Sequence, residues 1–114
     1  MITNKTRETV ISEKEAICDS FFCKLKGVMF SLKPKALFFR FGKEQKLDLH
    51  MMFVFFPIDL VFLDSRFNVV ELKENFLPFT FYNSKEKVRY VIELPAGAIK
   101  KSRTGIGDTV IFKR

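Results

Sequence analysis

The pattern of apolar residues predicts an all-β (mainly β) fold, a jelly-roll-like β-sandwich with one or two short helices. Three observations predict it. Segments such as VRYVIEL (88–94) and KLDL (46–49) alternate apolar and polar positions with period two. Turn residues punctuate seven or eight such segments, and no long helical stripe of apolar residues appears. At 114 residues with 47 % apolar content, the chain fits a single domain over residues 1–114 with one core, and disorder is excluded on composition.

Thr6 to Ile17 contains TVIS and EAI, β-prone pieces separated by a charged stretch, and reads as one or two short strands. The first residues are polar and lack the apolar region and small-residue site of a secretory signal. In CDSFFCKLKG, Ser20 suits an N-cap and Gly27 a left-handed stop, with Lys24 and Lys26 in the last turn where the helix dipole favours cations. That stretch predicts a helix of about two turns.

From Ala36 onwards strands follow one another. ALFFRF is expected to close at a GKEQK hairpin turn around Gly42. KLDLHMMFVF then starts with Leu47, Leu49, Met51 and Phe53 on one face and Asp48 and His50 on the other, becoming apolar on both faces from Met52. Pro57 lacks an amide donor and belongs at a bend or strand start, before the buried strand IDLVFLD. DSRFN is a turn, and FNVVEL returns as a hairpin partner. KENFLPFTFYNSKEK reads as the longest irregular segment, VRYVIEL as a strand, PAGAIKKSRTG as a helical turn opening at Pro95, and GIGDTVIF as a turn into a last strand.

The thirteen residues between His50 and Asp64 are apolar apart from Asp59. As a helix they would span roughly 20 Å, short of a bilayer core of about 30 Å, and Pro57 and Asp59 oppose a spanning helix further. The chain is therefore expected not to be membrane-spanning, and the run to fill a soluble core.

Twenty basic against thirteen acidic residues give a net charge of +7. Such a balance attracts anionic partners over long range and keeps a chain with 15 phenylalanines soluble. The cations are scattered, and only the C-terminal patch Lys100, Lys101 and Arg103 forms a cluster. Cys18 and Cys23 lie five apart, matching neither a zinc knuckle nor a redox pair, so both are expected as small buried hydrophobes in a reducing, cytoplasmic setting.

Asp59 interrupts an apolar strand, so it must be paired, hydrogen-bonded or driven towards neutrality. With His50 and Glu93 it makes a candidate polar site, and the same three residues define the alternative of a metal-dependent enzyme. No catalytic residue, metal or cofactor emerges from spacing; GIGD lacks the lysine-serine or lysine-threonine step of a phosphate loop. Phe76, Phe79, Phe81 and Tyr82 form a candidate aromatic contact loop, either for a small ligand or protein partner or, with the basic surface, for single-stranded nucleic acid. The abundance of phenylalanine in so small a domain also allows a homodimer, since rings that do not fit inside must be covered elsewhere. The balance of these observations favours a non-catalytic binding or interaction module over an enzyme, with nucleic acid as the second choice of ligand.

KGVMF (26–30), ALFFRF (36–41), FPIDLVFLD (56–64), YVIELPAG (90–97) and GIGDTV (105–110), in that order, resemble the family known as domain of unknown function 192, or uncharacterised protein family 0127. The resemblance covers the chain from about residue 18 onwards and implies a jelly-roll-like β-sandwich. It brings no reaction and no catalytic residue. Many bacterial members carry a polar WMKNT block before the proline-aspartate step, where this chain reads HMMFV at His50–Val54. Met52, Phe53 and Val54 therefore stand in place of a lysine, an asparagine and a threonine, and polar chemistry shared at that block is not expected here.

Overall fold

The computed structural model describes residues 1–18 and 33–113, so the helix expected at Ser20–Gly27 and the cysteine Cys23 lie outside the described residues. Among the described residues the chain forms β1 (Ile2–Asn4), β2 (Thr9–Ser12), β3 (Ala16–Cys18), β4 (Leu37–Gln45), β5 (Asp48–His50), β6 (Ile58–Leu63), β7 (Val69–Phe76), β8 (Phe81–Asn83), β9 (Val88–Pro95), the helix α1 (Ala98–Ser102) and β10 (Val110–Phe112). The fold is mainly β, and its layers are compatible with a sandwich.

The central sheet has the order β3-β4-β9-β6-β7, antiparallel except where β3 lies parallel to β4. All six residues of β6 are buried, because a strand flanked by β9 and β7 and covered on both faces leaves no side chain in water. Its odd and even positions go to different cores. Leu60 and Phe62 join Leu37, Phe39 and Val91 on one face, covered by Met51, Val54 and the paired strands β5 and β8. Val61 and Leu63 join Phe38, Ile92 and Leu94 on the other, covered by Ile2, Ile11 and Val110 of the β10-β1-β2 sheet and by Ile99 of α1. Burial of each large apolar side chain contributes about 1.5 to 3 kcal/mol, so the two faces of β6 anchor both layers.

Several expectations are corrected. β1 is a strand that the sequence pattern does not predict. β4 does not turn at Gly42 but runs on to Gln45, with a register irregularity between Arg40 and Gln45 that lets Gln45 still pair with Val88. The strand begun at Leu47 ends at His50; Asp48 and His50 are exposed and Leu49 half-buried, as alternation requires, but residues 51–57 then form a loop. KENFLPFTFYNSKEK is irregular only in part, because β7 extends to Phe76 and β8 runs from Phe81 to Asn83, leaving residues 77–80 and 84–87 as the connections. Pro95 ends β9 rather than opening a helix, and α1 begins after Gly97, whose φ of 97° suits only glycine well. The DSRFN turn is as expected, closed by Asp64, whose Oδ1 accepts the N–H groups of Arg66 and Asn68.

Candidate functional site

His50, Asp59 and Glu93 are not brought together. Asp59 is opposite Leu94 and Glu93 opposite Leu60 in the β6–β9 register, so the two carboxylates leave opposite faces of the central sheet. His50 sits exposed on β5, its Nδ1 accepting the Met52 N–H at 3.2 Å. Among the described residues no group of three or more His, Cys, Asp or Glu side chains is placed to hold a metal ion.

Asp59 is sealed from solvent and saturated by backbone donors. Its Oδ1 accepts the Asn75 N–H at 2.9 Å, and its Oδ2 those of Gly97 and Ile99 at 3.1 and 3.0 Å. One carboxylate thus ties the bend of β7 to the start of α1 and supplies the negative charge that a helix N-terminus favours. Asn75 has φ 52°, a left-handed conformation that asparagine tolerates and that turns its N–H towards Asp59.

Two further buried carboxylates, unremarked in the sequence, follow the same plan. Glu71 receives the Tyr82 hydroxyl and the N–H groups of Lys85 and Glu86, fixing the turn between β8 and β9. Burial and this carboxylate together push the Tyr82 phenol up to about 12, and Lys73 Nζ lies 5.5 Å from its ring centroid. Asp108 Oδ2 receives Asn4 Nδ2, Arg7 Nε and the Gly105 N–H. Burial acts to raise the Asp108 carboxyl, but these donors and the Arg7 charge outweigh it and hold the group below the usual carboxylate range. Tyr82→Phe is expected to lower unfolding free energy by about 1 to 2 kcal/mol, because it strips one donor from a buried carboxylate, and urea unfolding at pH 7 measures the loss.

The aromatic loop divides. Phe76 is core and Tyr82 half-buried, whereas Phe79 and Phe81 are exposed, Phe81 by 73 %. They are joined by Phe53, Phe55 and Leu77, each about half exposed, and the Phe79 ring meets Phe53 and Phe55 edge-on at 6.1 and 5.9 Å between centroids. Backbone bonds tie the two loops: Met51 N–H donates to Thr80 O, and Phe79 N–H to Met51 O. Phe53 and Phe79 have φ of 58° and 60°, which costs about 1 kcal/mol or more for each non-glycine residue. Met51, Val54 and Phe76 remain below as the buried floor.

Lys100, Lys101 and Arg103 lie on and just after α1, exposed, in the layer whose Ile99 packs against the other core. The rings and the cationic cluster therefore lie on opposite sides of the central sheet. Cys18 is buried as expected, but it is disulfide-bonded rather than reduced, which removes the ground for a reducing compartment. No helix among the described residues is long and apolar enough to cross a membrane.

Residues 2–112 match the family DUF192, described as "Uncharacterized ACR". A UPF0127 protein of Thermococcus sibiricus is 37 % identical over 113 residues, which cover 96 % of this chain and 73 % of that protein. A UPF0127 protein of Pyrococcus horikoshii is 32 % identical over 112 residues, 96 % of each chain. A crystal structure from Sinorhizobium meliloti 1021, named a "putative transcription regulator", is similar with a TM-score of 0.79 and 25 % identity, over 85 % of this chain and 79 % of that one. Both the ordered motifs read in the sequence and these likenesses over nearly the whole length place the chain in one group: it belongs to the uncharacterised DUF192 (UPF0127) family.

Proposed function

We propose that this chain is a non-catalytic binding module that docks a partner protein through the apolar patch of Phe53, Phe55, Leu77, Phe79 and Phe81. The observation that carries the reading is the patch itself: five large apolar side chains stand exposed on residues 53–55, residues 77–79 and the start of β8, with the two loops hydrogen-bonded to each other. Two of them hold left-handed backbone, a cost that burial of the rings against a partner offsets. Rigid aromatic groups over a packed floor are the usual anchors of protein interfaces. Meanwhile Asp59, Glu71 and Asp108 are saturated by architectural donors, and the lone histidine stands apart from them.

The partner is an acidic protein with an apolar contact surface. Two copies of a chain with net charge +7 repel each other, whereas an acidic protein is drawn in. The Sinorhizobium neighbour's name makes nucleic acid the rival ligand. That rival needs rings and cations interleaved along one face, and here the cluster of Lys100, Lys101 and Arg103 lies on the opposite side of the sheet from the exposed rings.

A photo-crosslinking residue placed at Phe81, and separately at Lys100, tests the reading in cells. Crosslinks to one protein from position 81 and not from position 100 are expected. The Phe79→Ser/Phe81→Ser variant should then bind that purified protein at least about tenfold more weakly at an unchanged melting temperature. Crosslinks confined to position 100, or retention of a single-stranded oligonucleotide that the double variant abolishes, would overturn it.

A further inference from the structure

A second site lies on the far side of the central sheet from the aromatic patch. The end of β2, the turn into β3, residues 34–36 and the β9–α1 connection enclose an open cavity of about 980 Å³, at the upper end of the size range of small-molecule sites. Val10 and Ala98 contribute apolar wall, with Leu94 buried beneath, and Val10 is 48 % exposed. An apolar side chain exposed inside a concavity, with no polar function of its own, is what the hydrocarbon part of a ligand covers.

Around this wall stand Lys14, Lys35 and Lys101, all exposed, and none forms an ion pair among the described residues. Lys35 acts through its charge on Glu93, in the neighbouring row of β9. Of the two carboxylates on the wall, Glu13 is exposed, whereas the Glu15 side chain is only 5 % exposed and its Oε2 is paired with the Met1 amine at 2.9 Å. The cavity mouth is therefore cationic over an apolar wall. The amides at the start of α1 contribute nothing to this field, because Asp59 already occupies those of Gly97 and Ile99. An anion entering here is held by lysine side chains, which act as flexible point charges rather than as a planar fork.

We infer that this cavity binds an amphipathic organic anion, a carboxylate or phosphate ester on a short apolar body, with Lys35 and Lys101 at the acid group and Val10 and Ala98 along the body. Cations and neutral apolar alcohols are poor ligands for it, the former through repulsion and the latter through the missing charge. The lysine cluster noticed in the sequence is thereby divided, Lys101 serving the cavity while Lys100 and Arg103 face solvent outside its wall.

Octanoate and octyl phosphate serve as probes of the acid group, with octanol and octyltrimethylammonium as controls of the same chain length. Titrated into isotopically labelled protein, at least one anion should shift the amide resonances of Ser12, Ala36 and Lys101. A response to octanoate alone identifies a carboxylate site, and a response to octyl phosphate alone a phosphate ester site. Lys35→Gln/Lys101→Gln should weaken that binding about tenfold, as loss of charge-assisted contacts requires, while Lys100→Gln leaves it unchanged. The Phe79→Ser/Phe81→Ser variant should bind as the wild type does, which separates this site from the protein-docking surface. Equal shifts from octanol or the ammonium compound, or none from either anion at about 5 mM, a concentration that reveals even weak sites, would overturn the inference.

Discussion

Asp59→Ala is expected to destabilise the protein by about 3 to 5 kcal/mol, a large share of the stability of an ordinary domain. The substitution deletes the acceptor of three backbone N–H groups at once, those of Asn75, Gly97 and Ile99. Water cannot easily replace it, since Asp59 is 1 % exposed and lies among Leu94, Ile99 and their neighbours. Each buried donor left without a partner costs about 1 to 3 kcal/mol, and the three are shared between two elements that must dock together. Asp59→Asn isolates the charge from the geometry. Its single carbonyl oxygen can still receive Gly97 and Ile99, but its amide group turns donor towards the Asn75 N–H, so a loss of about 1.5 to 3 kcal/mol is expected. Urea unfolding at pH 7 should rank wild type, Asn and Ala in that order, and the helix and the β7 bend should lose hydrogen-exchange protection first. A cost below about 1 kcal/mol for the alanine variant would mean that these amides find other acceptors and that Asp59 is free for another role.

The same residue shows what the sequence made legible. An aspartate inside an unbroken apolar strand had to be satisfied, and the reading followed from the cost of burying a charge. Which donors would satisfy it depended on residues 16 to 40 positions away, and no local pattern specifies them. The strands β6 and β9 were plain because alternation, or its loss when both faces are covered, is a property of the strand itself. β1 escaped notice because it is three residues long and its second buried residue is Asn4, a polar side chain that donates to Thr104 and Asp108 from the interior. Gly42 suggested a turn, yet pairing with β9 carries β4 past it, an instance of tertiary contacts overriding a local signal. In HMMFV the apolar residues looked like a strand covered on both faces; in fact Met51 and Val54 point inward while Phe53, in left-handed backbone, stays half exposed between them. Composition could only say that some of the 15 phenylalanines would be surplus to the interior. Identifying Phe53, Phe55, Phe79 and Phe81 as those required the fold.

Glu93 yields the second large effect, and it runs opposite in sign to the usual carboxylate. Burial pushes its carboxyl up to about 7, against a partial opposing pull from Lys35, and its Oε1 is sealed from solvent without a hydrogen-bond donor. It sits between Leu37 of β4 and Leu60 of β6, on the face that carries the Phe62 core. Between about pH 4.5 and pH 7 the folded chain keeps a proton here that the unfolded chain has released, so this group's contribution is greatest below about 4.5, falls as pH rises through that window, and stays at its lowest above 7. The full difference is up to about 3 kcal/mol at pH 8, less where the side chain relaxes towards water. Glu93→Gln removes the titration while keeping the shape. Near pH 4.5 the variant and the wild type should be about equally stable, and at pH 8 the variant should be more stable by about 1 to 3 kcal/mol. Glu93→Leu, which matches its two flanking leucines, should show the same gap at pH 8 without the amide's own need for partners. Taking the difference between variant and wild type at each pH cancels every other titrating group, including Glu71 and Asp108. A difference that stays flat from pH 4.5 to pH 8 would show that the Glu93 carboxylate finds solvent or a cation in the fold, and that the row between Leu37 and Leu60 is open rather than sealed.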